Sequence, residues 1–112
     1  MTRKFHRTAG VRRSFLRSLA NNLIGKERIL TTEARAKAIR PLVEKMVTIA
    51  KKQRLHGLRI LISRLHNKEA AQKLFYSLAP RYQARAGGYL RIIKQGKSRK
   101  RDGAKTAVIE FV

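Results

Sequence analysis

The sequence predicts a single two-layer domain of the α/β (α+β) kind, helices packed on a small three-stranded mixed sheet in the order α-β-α-α-α-β-β. Three observations predict it. Apolar residues recur at three- and four-residue spacing in four stretches, the pattern of helices with one buried face. Three short runs, 27–31, 89–95 and 106–112, are β-prone or alternate weakly. A chain of 112 residues makes one domain, so the helical stripes and the apolar face of the sheet must be buried against each other.

Residues 1–9 lack periodicity: Arg3, Lys4, His6 and Arg7 surround Phe5, which reads as an extended basic arm ahead of a domain at 10–112. Val11, Phe15, Leu16, Leu19, Ala20, Leu23 and Ile24 then mark one face of a helix, with Arg12, Arg13 and Arg17 off the stripe. Gly25 is placed to cap its C-terminus. After the strand at 27–31, Thr32 is an N-cap and Glu33 sits in the first turn, where a carboxylate suits the helix dipole. The helix that follows runs toward Lys52 on a stripe of Ile39, Leu42, Val43, Met46, Val47, Ile49 and Ala50. Pro41 inside it costs a hydrogen bond and either kinks it or divides it at Arg40–Pro41. Gly57 breaks or bends the next segment, whose stripe is Leu58, Leu61, Ile62 and Leu65, ending near Asn67. Residues 69–78 form a further helix with Ala70, Ala71, Leu74, Phe75 and Leu78 inward, and Pro80 either ends it or is carried as a kink toward Tyr82. Beyond Gly87-Gly88, the runs 89–95 and 106–112 form a hairpin whose long tip holds Lys97, Arg99, Lys100 and Arg101, with Asp102-Gly103 as the turn signal.

Charge carries the functional argument. Twenty-eight Lys and Arg face six Asp and Glu, for a net charge of +22. A small folded chain bears that self-repulsion best when a polyanion neutralises it, and nucleic acid is the leading one. The cations are spread evenly, eight in residues 1–28, seven in 29–56, six in 57–85 and seven in 86–112. A basic tail would concentrate them; an even spread on a patterned chain suits a folded body that meets phosphate on several faces.

Other chemistries are poorly supported. There is no cysteine, which excludes disulfides, zinc ribbons and thiol catalysis. His6, His56 and His66 form no metal-binding spacing, the six acids are scattered, and no phosphate-cradling glycine motif occurs. No apolar run is long enough to span a bilayer, and the start does not read as a secretory signal. The chain is therefore expected to be no enzyme, to need no cofactor or metal, and not to form a homo-oligomer, since no apolar stripe is left over for one. Helix-turn-helix, zinc-finger, zipper, RRM and KH patterns are all missing, which leaves recognition by shape and backbone, as suits folded RNA. A nucleoid-type DNA-binding protein is the alternative. Phosphate contact is expected first at the hairpin tip (Lys97, Arg99, Lys100, Arg101) and the arm (Arg3, Lys4, Arg7), then at Arg12, Arg13, Arg17, Arg35, Lys37 and Arg40 on helical faces. Gly87-Gly88, between Arg85 and Arg91, is either a bend needing positive φ or a close backbone approach to phosphate. Phe15 and Phe75 read as core; Tyr82 and Tyr89 read as packing before base stacking.

Several segments resemble the bacterial large-ribosomal-subunit protein L17 family: Arg13-Ser-Phe-Leu-Arg-Ser-Leu-Ala20, Glu27-Arg-Ile-Leu-Thr-Thr-Glu-Ala-Arg-Ala-Lys37, Val43-Glu-Lys-Met-Val-Thr-Ile-Ala-Lys51, Lys73-Leu-Phe75, Ala79-Pro-Arg-Tyr82, Arg85-Ala-Gly-Gly-Tyr-Leu-Arg-Ile-Ile-Lys94, and Asp102-Gly-Ala104 with Ile109-Glu110. The Thr-Thr-x-x-x-Ala-Lys and Arg-x-Gly-Gly-Tyr-x-Arg-x-x-Lys runs, in order and at the right distance, are specific. The resemblance implies a small α/β protein of the cytoplasmic ribosome, bound to large-subunit rRNA beside neighbouring ribosomal proteins near the peptide-tunnel exit. Its implied role is scaffolding and assembly. By matching position it adds Thr32, Arg85, Tyr89, Arg91 and Lys94 to the expected rRNA contacts, and Arg81 is expected among them as well. The chain departs from the family in a shorter basic lead, in Val11 where a His is common, and in Arg101-Asp-Gly-Ala-Lys105 where the family has Gly-Asp-Gly-Ala-Pro.

Overall fold

Helix α1 spans Ala9–Lys26 and buries Leu16, Ala20, Leu23 and Ile24. The computed structural model describes residues 9–98 and 103–112. The expected arm at Arg3, Lys4 and Arg7, and the tip residues Arg99, Lys100, Arg101 and Asp102, lie outside the described residues. Contrary to the sequence reading, α1 runs through Gly25. It stops at Glu27, which adopts the left-handed conformation (φ 64) usually given to glycine and donates its N–H to the Leu23 carbonyl at 2.6 Å. Side chains from a distant segment make this stop. Lys73 Nζ donates to the Gly25 carbonyl at 2.7 Å, and Lys73 and Arg81 both pair with the Glu27 carboxylate, at 3.3 and 2.7 Å.

Strand β1 (Arg28–Thr32) leads directly into α2 (Glu33–Lys51). Thr32 caps α2 as expected, its Oγ1 accepting the Arg35 N–H at 3.2 Å. Pro41 neither divides nor ends α2. It lies on the exposed side, while Ala36, Ile39, Val43, Met46, Val47 and Ala50 form an uninterrupted buried stripe. Leu42, expected in that stripe, is 38% exposed beside Pro41.

Helix α3 (Leu55–Leu65) contains Gly57 without a break. The glycine is there for proximity: a Cβ at 57 would lie 3.2 Å from the Ile49 carbonyl oxygen of α2. The helix ends at His66, again left-handed (φ 51), and Asn21 Nδ2 of α1 donates to the Leu65 carbonyl at 3.0 Å. Asn67 does not end α3 but caps α4 (Lys68–Lys73), its Oδ1 accepting the Ala70 N–H at 3.1 Å. α4 continues into a π-helical turn, Leu74–Leu78, and a 3-10 turn, Ala79–Tyr82. Pro80 is thus carried rather than obeyed as a stop, because the widened and then tightened turns around it reset the hydrogen-bond spacing that its missing N–H interrupts.

β2 (Leu90–Ser98) and β3 (Lys105–Phe111) form the expected hairpin. The sheet order is β1-β3-β2 with both pairings antiparallel, so the sheet is antiparallel and not mixed. β1 and β2 run in the same direction, but the returning hairpin strand lies between them, and no parallel pair remains. Lys94 faces Ala107 and Ser98 faces Lys105, so 95–97 span the place of Thr106 alone, a bulge in which Gly96 has φ 69. The cross-strand row Ile29–Ile109–Ile92 and the pair Leu90–Phe111 face the helices. Strand alternation puts the rows Leu30–Val108–Ile93 and Arg28–Glu110–Arg91 on the opposite face, where Leu30 is 67% and Ile93 40% exposed. One continuous core joins all four helices to the inner sheet face.

Candidate nucleic-acid interface

The carboxylates decide which cations are neutralised within the chain. Glu27 takes Lys73 and Arg81; Glu110 takes Arg91 at 2.7 Å and Arg28 at 3.7 Å; Glu33 stands 4.0 Å from Lys94. The Arg81 guanidinium holds the Glu27 carboxyl below the usual carboxylate range, despite a smaller opposing effect of burial, and Arg81 is itself shifted up by the same contact. Glu44 spends its Oε1 on the Tyr89 N–H at 2.9 Å. Three expected contact residues, Arg81, Arg91 and Lys94, therefore sit exposed within ion-pair clusters.

Two expected contacts serve the fold. Thr32 is 6% exposed with its hydroxyl used as the α2 cap. Tyr89 is 2% exposed, its ring tilted against Tyr82 at 5.4 Å, its hydroxyl accepting from Lys51 Nζ at 2.9 Å. Neither offers a surface for a base. Burial pushes the Tyr82 phenol up, and its hydroxyl donates to the Val112 carbonyl at 2.8 Å.

The loop 83–89 is pinned from α2 by Glu44 and Lys51. Lys51 Nζ donates to the Arg85 carbonyl as well as to Tyr89, and the Lys51 carbonyl accepts from Gln83 at 2.9 Å. Glu44 and Lys51 are seven apart, on one helical face, and together they fix the stretch carrying Arg85, Gly87 and Gly88. Arg85 is exposed, with Nε donating to the Gly87 carbonyl at 3.3 Å. Gly88 needs its glycine for φ 65, whereas a Cβ at either Gly87 or Gly88 would meet open space.

The helical cations behave differently. Arg13, Lys37 and Arg40 are exposed, Arg12 and Arg17 half-buried, and none makes an ion pair among the described residues. Arg35 lies half-buried with its guanidinium 4.9 Å from the centre of the Phe15 ring. Packing of α1, α2 and α3 leaves a cleft of about 610 Å³. Leu16, Ala20, Ala38 and Met46 line it, with Pro41 and Leu42, while Arg12, Arg13, Arg17, Lys45 and Arg64 stand around it. Lys45 and Arg64 escaped the sequence reading because three helices must pack before they join the arginines of α1. Their only local signal was position: Lys45 falls one turn after Pro41.

Among the described residues no group of three or more His, Asp or Glu could hold a metal ion, and no helix is long and apolar enough to cross a membrane. A small α+β body in which, among the described residues, every carboxylate but Glu69 is committed to an ion pair or the backbone, and in which helical arginines are left without one, has the build of a ribosomal protein. The chain belongs to the ribosomal protein L17 family, whose family model matches residues 15–112. That family consists of structural ribosomal proteins and not of enzymes. Among the relatives named large ribosomal subunit protein bL17, that of Exiguobacterium sp. is 49% identical over 114 residues, covering 97% of each chain. That of Methylacidiphilum infernorum is 46% identical over 110 residues, 98% of this chain and 83% of its own. That of Allorhizobium ampelinum is 48% identical over 110 residues, 98% of this chain and 77% of its own.

Proposed function

We propose that this protein is a structural constituent of the large subunit of the cytoplasmic ribosome, held there by rRNA and supporting subunit assembly. The observation that carries the reading is the set of cations left without a carboxylate among the described residues: Arg12, Arg13 and Arg17 on α1, and Lys37 and Arg40 on α2. With the exposed Arg85 loop, the basic arm (Arg3, Lys4, Arg7) and the tip (Lys97, Arg99, Lys100, Arg101), they supply phosphate contacts on several faces. Its neighbours are other large-subunit proteins, near the exit of the peptide tunnel. Recognition is by backbone and shape, and affinity comes largely from counterion release.

Sedimentation of lysate through a sucrose gradient at moderate salt tests the location. Stoichiometric co-migration with large subunits is expected; migration with chromosomal DNA or at the top of the gradient overturns the reading. The purified protein should bind rRNA with an affinity that falls steeply with salt. If about ten phosphates are neutralised, log K against log salt has a slope of roughly −7 to −9. A slope shallower than about −3 contradicts contact on several faces.

A further inference from the structure

We infer that the cleft between α1, α2 and α3 binds an unstacked nucleotide of a single-stranded RNA segment, its base on the apolar floor and its flanking phosphates on the cationic rim. This rests on the rRNA-binding reading and deepens it, since phosphate contact alone needs no floor.

The chemistry of the cleft selects the occupant. Its floor is apolar and largely rigid: Leu16, Ala20 and Met46 are buried in the core, and Leu42 lies exposed at its margin beside Pro41. Every charged residue among the described lining is a cation. Four of its five cations are arginines, whose planar guanidinium groups both fork phosphate oxygens and stack on base faces. The volume of about 610 Å³ falls within the roughly 300–1,000 Å³ of sites that enclose small molecules. Ser63 contributes the one hydroxyl of the lining, a donor and acceptor for a base edge. Pro41 has no N–H to give the Lys37 carbonyl, so the wall of the cleft lacks one intrahelical bond. A duplex presents phosphates but keeps its bases stacked, and would use the rim and leave the floor wet.

The full-length protein is titrated with two labelled probes at fixed salt, an adenosine oligonucleotide of about ten residues and an RNA duplex of equal phosphate count. The oligonucleotide carries a central 2-aminopurine, which reports the environment of one base. Leu42→Ser removes apolar lining without touching charge, at a position already 38% exposed. It is expected to weaken the single strand about fivefold, as befits loss of part of a stacking contact, to leave the duplex unchanged, and to abolish the 2-aminopurine response. Lys45→Ser with Arg64→Ser should weaken both probes and the single strand more; Arg59→Ser, on α3 outside the cleft, should weaken both equally. Equal behaviour of the two probes toward Leu42→Ser, with wild-type binding intact, overturns the inference and leaves the rRNA reading standing. Failure of the wild-type protein to bind either probe overturns both. Leu42-dependent binding of a glutamate-rich amphipathic peptide that displaces the single strand would assign the cleft to a protein partner and overturn the inference too.

Discussion

Glu27 occupies a backbone conformation that ordinarily selects glycine, and Lys73 and Arg81 hold it there. The Arg81 contact depresses its folded-state pKa, so the stabilisation is present above the unfolded carboxyl value and is lost as pH falls through the folded one. The pair is partly solvated, so Glu27→Gln should cost less than about 1 kcal/mol at neutral pH. The difference should vanish well below the carboxylate range, and urea melts at neutral and strongly acidic pH check it. An unchanged difference at both would show that the carboxylate's charge is not what matters. At this scale the sequence was half legible. Thr32 as a cap and Gly88 as a positive-φ bend follow from residue type alone. The ends of α2 and α3 fall close to where periodicity placed them. The left-handed residues that make the helix stops, Glu27, Gln53 and His66, do not follow from residue type, because each is an ordinary residue held left-handed by partners far along the chain or by the bonds of the helix end itself. Gln53 shows how: its amide donates to the Ala50 and Phe75 carbonyls, both at 2.8 Å.

Gly57 and Gly25 show that one residue type carries two meanings within the same kind of element. Both lie inside helices. At Gly57 a side chain would press on a backbone carbonyl of α2, which cannot move aside as a flexible side chain could; at Gly25 it would meet nothing. Gly57→Val should destabilise the protein by about 2 kcal/mol through forced separation of α2 and α3, while Gly25→Ala should gain about 0.5 kcal/mol from helix propensity. Thermal melts of the two variants decide it, and a neutral Gly57→Val would refute the close approach. Element boundaries were legible where periodicity was strong, as in α2, and illegible where a glycine looked like a stop, as at Gly25 and Gly57. Pro41 and Pro80 both sit within continuous helical chain, since the apolar stripe around each outweighs one missing hydrogen bond. The sheet's direction was misread for a related reason: local alternation identifies strands, but only tertiary placement put β3 between the other two.

For the whole molecule, charge was the most legible property and the assembled surface the least. A net charge of +22 with every described carboxylate but Glu69 engaged by a cation or a backbone group leaves a large repulsion in the free protein. Its melting temperature, without RNA, should rise as sodium chloride is increased from low to physiological strength, because screening relieves that repulsion more than it weakens a handful of exposed pairs. A melting temperature that falls with salt would mean that the pairs around Glu27 and Glu110 dominate. The cleft, in contrast, was invisible in the sequence: its cations come from three helices and its floor from residues that read simply as core.

The order of the sheet imposes an order on biosynthesis. β3 is the last strand to be made, and it is the one to which both others bond: Ile29 of β1 and Ile92 of β2 share the single partner Ile109. Until β3 leaves the ribosome, β1 and β2 are two edges without a middle, and the buried side of the sheet has nothing to close it. The helices can gather earlier through their local contacts, but the sheet cannot close before β3 has emerged. The strand that locks the other two together arrives after both of them have been made.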